Sequence, residues 1–163
     1  FCFRAEDGIR DAQESRGLGV FFFKQKTAYE IRLSLVGSGD LQIAGVTCDG
    51  FDLFLGAGDV EFTGSVTDAL SAEVGSGDVT FELYQAPAKS MDVSVGSGDV
   101  EMTVPNSTGF KASLTLGSGD FESDFLPLGY DGETILNLEF DNGDKSAVYS
   151  FEVDSGDMSF DSE

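Results

Sequence analysis

Val93-Ser94-Val95-Gly96-Ser97-Gly98-Asp99-Val100-Glu101-Met102-Thr103-Val104 decides how this chain folds. Apolar and polar residues alternate on both sides of Gly-Ser-Gly-Asp, and such alternation marks strands with one buried face. Two glycines between the runs mark a sharp corner, because glycine reaches positive φ angles that other residues avoid. The stretch reads as strand, tight turn, strand.

The phrase recurs at Gly37-Ser38-Gly39-Asp40, Gly56-Ala57-Gly58-Asp59, Gly75-Ser76-Gly77-Asp78, Gly117-Ser118-Gly119-Asp120 and Asp154-Ser155-Gly156-Asp157. The first five copies start 19, 19, 21 and 21 residues apart, and the last lies 37 further on. A fixed period near 20 is the mark of a solenoid, in which each repeat is one coil stacked on its neighbour. Before each phrase stand Leu53 and Leu55, Ala72 and Val74, Val93 and Val95, Leu114 and Leu116, Phe151 and Val153. After each Asp stand Leu41 and Ile43, Val60 and Phe62, Val79 and Phe81, Val100 and Met102, Met158 and Phe160. Side chains alternate faces along a strand, so these positions form inward ladders when coils stack about 4.8 Å apart.

In the first coil the same count places Val36 and Ser34 inward with Arg32 beyond, which predicts a weak strand. Each coil closes through a looser second corner, for example Gln85-Ala86-Pro87-Ala88-Lys89-Ser90 or Pro105-Asn106-Ser107-Thr108-Gly109, built from the residues that bends use. Beyond Phe125 the rhythm breaks at Pro127, Gly129 and Gly132. Asp141-Asn142-Gly143-Asp144 then separates two strand patterns, and Asn-Gly in that setting signals a hairpin. The expectation is an all-β, single-domain β-solenoid of five to six coils, with a right-handed winding and a hairpin over 133–153 capping its end.

Residues 1–31 read differently. Their five acids balance five Lys and Arg, and no Gly-Ser-Gly-Asp phrase occurs among them. Ala5-Glu6-Asp7-Gly8-Ile9-Arg10-Asp11 and Lys24-Gln25-Lys26-Thr27-Ala28-Tyr29-Glu30-Ile31 resemble translations of one sequencing-adapter oligonucleotide in two frames. The segment 1–31 is therefore set apart as non-native or disordered, and 32–163 is taken as the repeat domain.

The net charge of −21 sits on the repeats, where 25 acids face only Arg32, Lys89, Lys111 and Lys145. Such a surface repels phosphate backbones and lipid head groups, which argues against nucleic-acid binding and favours cations or basic partners. Two cysteines, Cys2 and Cys48, and no histidine leave no disulfide framework or zinc site to read. No apolar run reaches the roughly 18 residues that a membrane span needs.

Three readings of the phrase compete. In the first, the Asp carboxylate accepts hydrogen bonds from nearby backbone N–H groups and the turn is purely structural. In the second, Asp40, Asp59, Asp78, Asp99 and Asp120 form a column of calcium candidates, because like charges about 4.8 Å apart repel by roughly 0.9 kcal/mol in bulk water and calcium takes several oxygen ligands. The calcium β-roll repeat has a nine-residue period and a different Gly-Asp spacing, so the match is poor. In the third, paired acids serve a polysaccharide-acting enzyme, as carboxylates do in glycoside hydrolysis. These acids repeat on every coil with no special pair, so no catalytic residue is singled out and no enzyme is expected.

The repeated Val-Gly-Ser-Gly-Asp-Val phrase, best seen from Val74 to Val104, resembles the bacterial adhesin-like β-solenoid family, a domain of unknown function. The resemblance covers about 33–163. It implies a surface or cell-envelope protein with no catalytic residues to carry over. The resulting expectation is a non-enzymatic interaction scaffold, extracellular or envelope-associated, with a protein or glycan ligand and no cofactor. A calcium-binding β-roll-like domain is the alternative and a polysaccharide enzyme the third.

Overall fold

A computed structural model describes residues 2–3, 13–15, 21–23, 28–105, 109–125, 138–142 and 147–162. The described residues form strands and turns, without a helix, and every strand joins one curled sheet. The solenoid expected from the repeat is present. Six coils can be followed, each with a leading strand, a Gly-Ser-Gly-Asp corner and a trailing strand. In chain order they are coil 1 (31–43), coil 2 (51–62), coil 3 (70–83), coil 4 (90–104), coil 5 (110–123) and coil 6 (147–162).

The ladders form where the alternation places them. Leading strands align Phe51, Leu70, Met91 and Tyr149 in one row and Leu55, Val74, Val95 and Val153 in another. Trailing strands align Leu41, Val60, Val79 and Val100, and beside them Ile43, Phe62, Phe81 and Met102. All of these are buried, and a fully buried side chain of this kind contributes about 1.5–3 kcal/mol. The two walls meet in the middle, with the rings of Phe51 and Phe62 4.8 Å apart and those of Phe151 and Phe160 5.1 Å apart. Neither wall could bury its apolar face without the other.

Coil 1 corrects the simple count. Its strand Ala28–Ser38 pairs Ile31 with Phe51, Leu33 with Leu53 and Leu35 with Leu55, and the register shifts between Leu35 and Ser38. The shift is a β-bulge that absorbs one residue and so turns every preceding side chain to the other face. Leu35 and Ile31 point inward, while Val36 is 46 % exposed. Burying two large aliphatic residues in place of Ser34 and Arg32 favours the bulged register. Ile31, which the sequence reading set with the preceding segment, heads the first leading ladder.

Spatial order departs from chain order. The leading strand of coil 6, Ala147–Val153, pairs in parallel with coil 4 on one side and coil 5 on the other. Its trailing strand, Met158–Ser162, lies between Val100–Val104 and Phe121–Ser123 in the same way. The stack therefore runs 1-2-3-4-6-5. Phe121 does not touch down on Val100; Met158 stands between them. Of the hairpin expected over 133–153, residues 133–137 and 143–146 lie outside the described residues, and the described strands Leu138–Asn142 and Ala147–Val153 do not pair with each other. Leu138–Asn142 runs antiparallel to Phe110–Leu116, whose other edge holds Ala147–Val153, so coil 5 separates the two arms. Burial favours the inserted position of the second strand, because Tyr149, Phe151 and Val153 all enter the core from it. Leu138–Asn142 still covers the edge of the last leading strand, which is what a cap must do.

Aromatic residues fill this end of the stack. Phe110 stacks on Tyr149 at 4.8 Å, Phe160 lies 5.3 Å from Phe110, and Phe125 folds over both at 5.1 and 5.0 Å. Phe125 thereby covers the place where coil 5 has Ser123 instead of a large inward residue. At the opposite end, Gln13–Ser15 pairs with Leu33 to Leu35 and Phe21–Phe23 with Leu41 to Ile43, extending the stack by part of a coil.

Candidate functional site

Four backbone N–H groups of an interior corner point alternately toward the two neighbouring coils. At coil 3, the N–H of Gly75 donates to the carbonyl of Leu55 in coil 2 (2.9 Å), and that of Gly77 to the carbonyl of Ser97 in coil 4 (2.8 Å). The N–H of Val79 donates to the carbonyl of Asp99, again in coil 4 (2.9 Å). The N–H of Asp78 faces coil 2, and there the carboxylate of Asp59 accepts it through Oδ1 at 3.1 Å.

The same rung repeats along the column. Asp59 donates to the Asp40 carboxylate (3.4 Å), Asp99 to Asp78 (3.0 Å), Asp157 to Asp99 (2.9 Å) and Asp120 to Asp157 (2.8 Å). Every Asp except the first donates downward, and every Asp except the last receives from above. A backbone N–H without a partner is costly, so the carboxylate completes the corner's hydrogen bonding. This is why the fourth position is acidic and short: Glu would overshoot, and Ser carries a neutral acceptor.

In coils 2 to 6 the glycine before the Asp is equally constrained. Gly77 has φ +130°, and a Cβ built there would lie 2.1 Å from the carbonyl oxygen of Gly58. Gly98 shows the same φ, with its Cβ position 2.2 Å from the Gly77 carbonyl. Corners stack backbone on backbone and leave no room for a side chain at this glycine.

Along the exposed side of the column run two shallow grooves. One, of about 600 Å³, is bounded by Asp78, Asp99, Asp157 and Asp120 together with Thr80 and Glu101. The other, of about 570 Å³, follows Asp40, Asp59 and Asp78 past Gln42 and Glu61. Gln42 donates to Glu61 across 2.7 Å. Among the described residues the paired cations stand elsewhere: Arg32 bridges Glu30 (2.8 Å) and Asp52 (3.6 Å), and Lys89 bridges Asp68 (2.6 Å). The groove wall thus keeps its negative charge.

Of the five calcium candidates, Asp40, Asp59, Asp78 and Asp99 occupy consecutive rungs as the sequence places them. Asp120 does not follow Asp99, because Asp157 lies between them. Asp157 was legible as part of the last phrase, but not its place in the column, which depends on the insertion of coil 6. Among the described residues, no group of three or more His, Cys, Asp or Glu converges to hold a metal ion.

Two buried groups escaped the sequence reading. The hydroxyl of Tyr149 donates to the carbonyl of Pro87 at 2.8 Å inside the core, and burial pushes its pKa up. Cys48 is 1 % exposed, and burial, helped by the neighbouring charge of Asp49, pushes its thiol up to about 12. A thiol so held is inert rather than nucleophilic.

Among the described residues no helix is long and apolar enough to cross a membrane. The model of a protein family described as Toastrack DUF4097 matches residues 32–160. No curated protein and no solved structure matches the chain.

Proposed function

The chain belongs to the Toastrack DUF4097 family, and from that premise we propose that it is a non-enzymatic, adhesin-like interaction scaffold of the cell surface or envelope. The observation that carries this reading is the aspartate ladder itself. Every carboxylate of the column but that of Asp120 accepts the N–H of the next coil, so the most repeated acids serve the backbone, and among the described residues no pair in the column is set apart from the others. Catalysis needs a pair of groups with different environments, and repetition supplies equal ones.

What remains for a ligand is the outer face. Its rows are polar and mostly acidic, with Asp52, Ser71 and Asp92 on one wall and Gln42, Glu61, Thr80 and Glu101 on the other. Rows spaced by a strand repeat suit an extended partner that itself repeats, a glycan chain or a basic protein surface. The same reading takes residues 1–31 as non-native translated sequence. Where Asp40 precedes Leu41 in coil 1, Val20 precedes Phe21, so the aspartate rung has no counterpart there.

Glycan-array binding and pull-down with basic proteins test the proposal. Retention of a glycan or a Lys- and Arg-rich protein, weakening as salt rises, is expected. Turnover of an acidic polysaccharide by the purified chain would replace the scaffold with an enzyme.

A further inference from the structure

Coil 6 reaches its place from outside the stack. The chain passes from coil 5 through Leu138–Asn142, on the outer edge of coil 5, before Ala147–Val153 enters on the inner edge. Its contacts are those of any coil in the column: Val153 on Val95, Met158 on Val100, and the Asp157 N–H on the Asp99 carboxylate.

The slot it fills also matches itself. Coil 6 pairs Tyr149 with Met91 on one side and with Ala112 on the other, Phe151 with Val93 and Leu114, Val153 with Val95 and Leu116. Without coil 6, coils 4 and 5 would meet in the same register, apolar row on apolar row, with Asp120 above Asp99. Coil 5 also precedes coil 6 in the chain, so it is synthesised first. Until coil 6 enters, the open faces of coils 4 and 5 offer the same register to the last coil of their own chain and to that of an identical molecule.

We propose that the gap between coils 4 and 5 is an exchange site between two copies of this chain, each copy's residues 147–162 filling the other's slot. The contacts inside and between copies are identical, which is the condition for domain swapping.

The test uses outward neighbours. Glu152 pairs with Ser94 of coil 4, and Glu73 of coil 3 pairs with Ser94 from the other side. Cα atoms of adjacent strands, about 4.8 Å apart, lie within disulfide range. In a Cys2→Ser background, full-length chains carrying Ser94→Cys and Glu152→Cys are unfolded, mixed, refolded at high concentration and oxidised. A disulfide-linked dimer is expected. The mixture of Ser94→Cys with Glu73→Cys serves as the comparison and should stay monomeric, because coils 3 and 4 are consecutive and do not exchange. The double variant Ser94→Cys/Glu152→Cys, refolded dilute, should close within one chain. A monomeric first mixture alongside a closed double variant overturns the proposal. So does equal dimer in both mixtures, or a double variant that fails to close.

Discussion

The backbone N–H of Asp157 donates to the carboxylate of Asp99 across 2.9 Å, although 58 residues separate them. The rung has the same form as that between Asp99 and Asp78, 21 residues apart. One corner chemistry therefore joins coils whatever their distance along the chain.

Removing an interior acceptor should cost more than removing the terminal one. Asp99→Ala deprives the Asp157 N–H of its partner and should lower stability by about 1–2 kcal/mol. Asp120→Ala should change it by only about 0.5 kcal/mol or less, because no described residue donates to that carboxylate. Asp99→Asn keeps an acceptor oxygen and relieves repulsion within the column, so it should fall well short of the alanine variant. Urea midpoints of the three variants rank these effects.

The corners should tolerate change at serine and refuse it at the second glycine. Gly98→Ala sets a methyl group 2.2 Å from the Gly77 carbonyl at φ +130°, and a loss of about 3 kcal/mol or more is expected. Ser97→Ala, on the exposed corner, should stay within about 0.5 kcal/mol. Gly45 has φ +67° but nothing within 4 Å of its Cβ position, so Gly45→Ala should cost only about 1–2 kcal/mol. Thermal melts of the three separate crowding from backbone preference.

Tyr149 links coil 6 to the second corner before coil 4. Tyr149→Phe removes the hydrogen bond to Pro87 and leaves that carbonyl buried, for an expected loss of about 1–2 kcal/mol. Tyr149→Ala also removes the ring stacked on Phe110 and should cost about 3–5 kcal/mol. Chemical denaturation measures both.

Alkaline pH should unfold the protein earlier than acidic composition alone suggests. Cys48 rises from 9.0 to about 12 on folding, and Tyr149 rises above its ordinary 10.0, in both cases chiefly through burial. Between the unfolded and folded values the folded state keeps protons that the unfolded chain has released. Stability is then full below pH 9.0, falls as pH rises above it through Cys48, and falls further above 10.0 through Tyr149. Cys48→Ala should flatten the first part of the decline and Tyr149→Phe the second, in midpoints followed from pH 8 upward.

Cations should act on the aspartate column by screening. Calcium and sodium chloride at matched ionic strength are expected to raise the melting midpoint equally. A rise seen with calcium alone would make the grooves beside Asp78 and Asp99 a calcium site instead.

Much of this was legible in the residues. Alternation located inward positions in every coil, the leading strand of coil 1 excepted, and the phrase located every corner. The bulge before Gly37 was not legible, because a one-residue slip costs little in the sequence pattern and is decided by whether Ile31 and Leu35 find Phe51 and Leu55 to pack on. Nor was the position of Ala147–Val153 between coils 4 and 5, since it depends on burial of Tyr149 and Phe151 that only the assembled core supplies.

The sequence by itself determined the coil: its two strands, its corner, and the side chains that face in. Only the tertiary structure decided the order in which coils lie, 1-2-3-4-6-5, and hence that Met158 rather than Phe121 rests on Val100. The physical reason is that every corner offers the same donors and acceptors and every wall the same apolar rows. Such repeats specify a register but not a neighbour, and the choice falls to how well the largest side chains fill the end of the stack.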